Sequence, residues 1–220
     1  MKTSTIPTRP AAGERAAYLG FDAETTALTP KKFARDGEQG GIFVEIGMVA
    51  YNKRLQPIAQ FSRLVNAEAS LTDRAAGRVN AVVEKMHTDN SLWHDLATVN
   101  NPANTTPAAV ESAAVDWVES NGFFNLPMLG SSITLDRMFL AAEMPTLLDK
   151  FHYRSVDATT LCLLLERSLG ATPHECLPAQ ADTCAQHRVI ADVERSALLV
   201  RTCLREFGCG GAVEPDEASV

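Results

Sequence analysis

Residues 17–26 read AYLGFDAETT, an apolar run that passes directly into Asp22 and Glu24. The run at 17–21 is short and ends at polar residues, the pattern of a buried strand. Side chains alternate along a strand, so two acids separated by one residue point to the same side. Such a pair constrains the fold around it, because adjacent carboxylates repel unless a proton is shared or a cation lies between them. A divalent metal is the usual resolution, and Mg²⁺ and Mn²⁺ prefer oxygen ligands. The same residues also read as a solvated acidic turn in which Asp22 caps the next segment.

The rest of the chain alternates. Segments 42–51 (IFVEIGMVAY) and 57–65 are β-rich and joined by a polar NKRLQ turn, which predicts a hairpin. Helical patterns come next at 71–83, 90–97 and 106–119, the last opened by Thr-Thr-Pro, a cap followed by a first-turn proline. Short strands are expected at 126–130 and 155–157, and helices at 135–143, 158–169 and 188–207. The Gly-rich polar stretch 30–41 reads as a loop. A hairpin followed by alternating strands and helices predicts an α/β fold, a mixed β-sheet flanked by α-helices.

Composition bounds the rest. With 220 residues, 45% hydrophobic and 21% charged, the chain suits one globular domain at 17–207, between a flexible leader at 1–16 and a flexible tail at 208–220. A net charge of −7 excludes a protein that coats duplex nucleic acid by bulk charge, but not one that holds a short strand through a few arginines and metal ions. No apolar run is long enough for a membrane span, and the N-terminus lacks the apolar core of a secretory signal. Five cysteines at irregular spacing fit a reduced protein. A cytoplasmic protein with no membrane partner is expected.

Two further strings carry acids. In GSSITLDRMFL (130–140), Asp136 falls early in a predicted helix that Ser131 or Ser132 could cap; it would then simply complement the helix dipole. In HRVIADVERS (187–196), His187 and Asp192 lie about 140° apart on a continuous helix, and converge only if His187 precedes the helix and reaches back. Each residue alone has an ordinary structural explanation. Together, Asp-x-Glu, then Asp136, then His-x4-Asp form the set that two-metal phosphodiester cleavage needs: four carboxylates for two cations, and a histidine able to take a proton from water at neutral pH.

In that order the motifs FDAET (21–25), SSITLD (131–136) and HRVIAD (187–192) resemble those of the DEDDh 3′→5′ exonuclease superfamily. VEIGMVAYN (44–52), KMHTDNSL (85–92) and FHYRSVDATTL (151–161) resemble strings particular to its oligoribonuclease family. The likeness spans residues 17–207. It implies an RNase H-like fold, a homodimer, and 3′→5′ hydrolysis of short single-stranded RNA, dinucleotides in particular, to nucleoside 5′-monophosphates. By position it implies Asp22, Glu24, Asp136 and Asp192 as ligands of two Mg²⁺ or Mn²⁺ ions, with His187 as general base. Leu28 matches the leucine that wedges between two bases, Ser132 a serine near the phosphate, and His87 a substrate-contacting histidine. Tyr153, Arg154 and Thr159 match residues that one subunit contributes over the 5′ end of the other's substrate; a dimer-packing role is the alternative for Tyr153 and Arg154.

The chain departs from the family pattern in three places. Ala27 stands where a glycine is usual, Val82 where a tryptophan is expected, and the 30–41 loop is longer and carries Lys31, Lys32 and Arg35. A broader single-strand RNA or DNA exonuclease of the RNase T or proofreading type is therefore the rival reading. DAETT superficially resembles the nucleophile motif of haloacid-dehalogenase-like phosphatases, which Glu24 and the His-x4-Asp string fit poorly. A zinc site at His174, Cys176, Cys184 and His187 would have a non-standard spacing.

Overall fold

The hairpin forms where the alternation places it. In the computed structural model, which describes residues 6–170 and 188–208, β1 (Tyr18–Thr25), β2 (Phe43–Tyr51) and β3 (Pro57–Leu64) pair antiparallel. β4 (Leu126–Gly130) then lies parallel to β1, and β5 (Phe151–Asp157) parallel to β4. The sheet order is β3-β2-β1-β4-β5, so the strand carrying Asp22 and Glu24 is central. The helices are α1 (Ala67–Ala75), α2 (Ala81–Asp89), α3 (Leu92–Ala97), α4 (Pro107–Ser120), α5 (Ile133–Glu143), α6 (Pro145–Leu148), α7 (Ala158–Leu169) and α8 (Val189–Glu206). None of them is long and apolar enough to cross a membrane. The mixed sheet flanked by helices is that of an RNase H-like fold, as expected from the sequence.

The two faces of β1 divide the molecule. Leu19 and Phe21 point into a core shared with Phe139 and Leu140 of α5 and Val110, Ala114 and Val118 of α4. Gly20, Asp22 and Glu24 take the opposite side, where α8 lies, burying Val189, Val193, Ala197 and Val200 along one stripe. Two glycines permit that approach. A Cβ on Gly20 would sit 2.4 Å from Val193 Cγ1, and one on Gly47 would sit 2.6 Å from Val189 Cγ2. Any larger residue at either place would lift α8, and with it Asp192, off the sheet.

Several elements differ from the sequence expectation. β1 continues through Thr25, so Asp22 and Glu24 stand inside a paired strand rather than in a turn. The helix expected at 71–83 is two helices. Gly77 takes φ +67°, and the Asn80 side chain caps α2 by accepting from Val82 N at 2.8 Å. β5 starts at Phe151, four residues early, because its outer residues are exposed and show no alternation. Residues 6–8, within the stretch read as a flexible leader, are docked. Ile6 is buried, Pro7 O accepts from Gln60 N at 2.8 Å, and Thr8 O accepts from Trp117 Nε1 at 2.8 Å. Of the expected tail only Gly208 is within the described residues.

Candidate active site

Three elements deliver the acids. β1 presents Asp22 and Glu24, and the first turn of α8 presents Asp192 across the gap that Gly20 and Gly47 leave. One carboxylate oxygen from each of the three lies within 4.8 Å of the others, and among the described residues no other group of potential ligands comes so close. The parallel pairing of β1 with β4 reaches Gly20↔Leu129, and Asp136 follows early in α5, with the backbone of Ala23 favouring its charged form. Asp136 thus stands beside the triangle rather than in it.

These acids are held against their preference. Burial pushes the Asp22 carboxyl well up, and the charges of Asp136, Asp192, Glu24 and Glu45 push it further. Glu24, 6% exposed, is pushed up to about 8, first by burial and then by Asp192 and Glu45, with Arg188 opposing. Asp136 is also raised, mainly by burial. An all-oxygen donor set whose members repel one another suits a hard divalent cation, which removes the repulsion that protons would otherwise have to relieve.

Around the acids lies a cleft of about 440 Å³ whose walls include Asp22, Glu24, Asp192, Thr159, Ser131 and Ser196. Ser131 Oγ meets Ser196 Oγ at 2.8 Å and ties the end of β4 to α8. Asp157 closes β5 by accepting from Ile133 N at 3.1 Å and Thr160 N at 3.2 Å, so it organises the starts of both α5 and α7. Ser132, at φ +54°, donates its N–H to Thr159 Oγ1 at 3.1 Å and sits beside the cleft.

The remaining expected residues lie elsewhere. Leu28 is 74% exposed, just past β1. His87 is 0% exposed; its Nε2 donates to Thr25 O at 3.0 Å, and its Nδ1 lies 3.8 Å from Glu24 Oε2. It therefore supports the end of β1 and offers no surface to the cleft. Tyr153 and Arg154 are exposed on the edge strand β5, with the guanidinium 5.4 Å from the tyrosine ring centroid. Neither is among the cleft walls. His187 lies outside the described residues, as do His174, Cys176 and Cys184.

Sequence reasoning missed three contributors: Glu45, Asp157 and Arg188. Glu45 stands opposite Glu24 in the β1–β2 register and is 6% exposed. Its signal was legible, since an acid inside the otherwise apolar FVEIGMVAY has no ordinary reason to be buried. The Arg188 fork that meets it at 2.9 and 3.0 Å could not be seen, because the partners are 143 residues apart.

A central strand and a crossing helix gather carboxylates on one face of an RNase H-like sheet. No family model matches the chain. It is 29% identical over 153 residues to the oligoribonuclease of Haemophilus influenzae (strain ATCC 51907 / DSM 11121 / KW20 / Rd), covering 68% of this chain and 74% of that protein. It is 31% identical over 153 residues to the Pasteurella multocida oligoribonuclease, covering 68% and 73%. The Ralstonia nicotianae oligoribonuclease matches at 28% over 206 residues, covering 92% and 84%. The chain belongs to the oligoribonuclease family.

Proposed function

We propose that the protein is a divalent-metal-dependent 3′→5′ exoribonuclease. It acts in the cytoplasm on short single-stranded RNA, dinucleotides in particular, and releases nucleoside 5′-monophosphates. The observation that carries this reading is the convergence of Asp22, Glu24 and Asp192 within 4.8 Å, in a chain whose relatives are named for oligoribonucleotides. With Asp136 beside them, these residues would hold two Mg²⁺ or Mn²⁺ ions. When bound, such ions lower the pKa of an attacking water and stabilise the leaving oxygen.

The chain's own residues do the rest. Burial and mutual repulsion make Asp22 and Glu24 poor bare anions, so they are arranged in advance to receive positive charge. His187 serves as the general base. Ser132 beside the cleft steadies the phosphate, and the exposed Leu28 supplies an apolar surface for a base; Thr159, expected to act on a partner's substrate, lines this chain's own cleft and steadies the same phosphate as Ser132. A cleft of about 440 Å³ suits a small ligand, and a net charge of −7 disfavours a long polyanion.

The reading includes a homodimer. β5 is a sheet edge, where a second copy can dock, and its outward Tyr153–Arg154 pair would close over the 5′ end of the partner's substrate. Arg154→Ala then raises KM for a 5′-phosphorylated dinucleotide about tenfold, the loss of one charge-assisted phosphate contact, with kcat little changed. An unchanged KM returns Arg154 to a packing role.

Turnover of 5′-labelled RNA from two to twenty nucleotides, with Mg²⁺ or Mn²⁺ and with EDTA, tests the function. The expected result is strong preference for the dinucleotide, abolished by EDTA. Comparable cleavage at every length moves the protein to the broader single-strand exonucleases, and no cleavage at any length overturns both readings.

A further inference from the structure

Glu45 sits where a metal ligand could sit. It is directly opposite Glu24 on the neighbouring strand, on the face that carries Asp22, Glu24 and Asp192, and it is as buried as Glu24. Like charges opposite one another across a strand pair destabilise the sheet. What separates Glu45 from the others is Arg188. Its guanidinium makes a two-bond fork to the Glu45 carboxylate, Nε to Oε2 at 2.9 Å and Nη2 to Oε1 at 3.0 Å, and a third bond from Nη1 to Asp95 Oδ2 at 2.8 Å. A planar fork of this kind satisfies both oxygens of a carboxylate at once.

Arg188 also begins α8. Its carbonyl accepts the helical hydrogen bond from the N–H of Asp192 at 3.1 Å, and no side chain caps the helix there. The fork to β2 and the bond to Asp95 in α3 therefore hold the turn that carries Asp192.

We infer that Arg188 is a positioning residue: it withdraws Glu45 from the acid cluster and pins the first turn of α8, so that the cation-holding set is Asp22, Glu24 and Asp192, with Asp136 beside them, and does not include Glu45. The inference rests on the metal-dependent reading above. Arg188 acts through Glu45 and not by touching RNA.

The test uses the full-length protein, freed of metal by chelation, with Mn²⁺ binding measured by calorimetry and kcat and KM measured on a dinucleotide. Arg188→Met releases Glu45 as an extra anionic ligand. Mn²⁺ is then expected to bind about tenfold tighter, the effect of one added charge nearby, while kcat falls at least about tenfold and KM stays near its original value. Tighter binding with slower turnover is not what loosened packing produces. Adding Glu45→Gln to Arg188→Met should return Mn²⁺ affinity to near its original value and restore kcat in part, since the bond from Arg188 to Asp95 stays lost.

Weaker Mn²⁺ binding in Arg188→Met, a loss confined to KM, or no reversal in the double variant overturns the inference. Should Arg188→Met fail to fold, Mn²⁺ binding by Glu45→Gln decides. Binding close to that of the unmodified protein supports the inference, and loss of Mn²⁺ binding makes Glu45 a ligand and overturns it. If the unmodified protein neither binds Mn²⁺ nor cleaves RNA, the proposed function fails and the inference with it. If it does both and only the reversal is missing, the inference alone fails.

Discussion

Glu24 and Asp73 are both 6% exposed carboxylates, and the protein treats them oppositely. Asp73, in α1, receives Lys31 Nζ on one oxygen and the Arg78 guanidinium at 2.8 Å on the other. Those bonds outweigh its burial and hold its carboxyl below the usual range. Glu24, in β1, faces Asp192 and Glu45 and is pushed up to about 8. Similar exposure therefore accompanies a stable anion in one place and a frustrated one in the other. Two things differ: Glu24 lies deeper among protein atoms, and its neighbours are mainly acids where those of Asp73 are cations. Asp73 comes with its cations, whereas Glu24 stands mainly among other acids, which is the arrangement the proposed function assigns to a divalent cation.

The largest expected effect is on the frustrated side. Asp136→Asn removes one carboxylate beside the site, and loss of several kcal/mol of transition-state stabilisation lowers kcat by about 10³-fold with folding intact. Near-normal turnover in a folded Asp136→Asn protein would break the assignment of the acids. On the satisfied side, Asp73→Asn should leave kcat alone and lower stability by about 1–2 kcal/mol, a modest amount because Lys31 and Arg78 are half-exposed. Denaturant unfolding measures it, and a loss of turnover without a loss of stability would erase the contrast.

A smaller effect sharpens the comparison through pH. A raised carboxyl binds its proton more tightly folded than unfolded, so Glu24 makes the metal-free protein less stable as pH rises from about 4.5 to about 8. Asp73 has the opposite sign. Its lowered carboxyl contributes stability above the ordinary carboxylate range, and that contribution is lost as pH falls through its folded value. Thermal melts of metal-free protein should therefore show Tm falling toward pH 8, and Glu24→Gln should flatten that fall. Mn²⁺ should raise Tm more at pH 8 than at pH 5, where protons compete for the same oxygens. A fall that Glu24→Gln leaves unchanged would place its source elsewhere.

The legible parts of the chain were those governed by short range. The Asp-x-Glu alternation, the Thr-Thr-Pro start of α4 and the apolar stripe of α8 each act within a few residues, and each formed an element close to where it was expected. The misread parts depend on distant partners or on backbone detail. Gly77 divides a continuous helical pattern because its φ is positive, which composition alone does not reveal. The burial of His87 against Trp93 at 5.4 Å and Thr25 O likewise depends on partners that the string KMHTDNSL does not show. Gly20 and Gly47 owe their place to the close packing of Val193 and Val189, partners far away in sequence.

Calorimetric titration of Mn²⁺ into metal-free protein, into Asp192→Asn and into Asp73→Asn, tests the central claim most directly. Saturable binding is predicted in the unmodified protein and in Asp73→Asn, and its loss in Asp192→Asn. Equal binding by all three proteins would contradict the claim, because the carboxylates of the cleft would then be no better a cation site than the rest of an acidic surface.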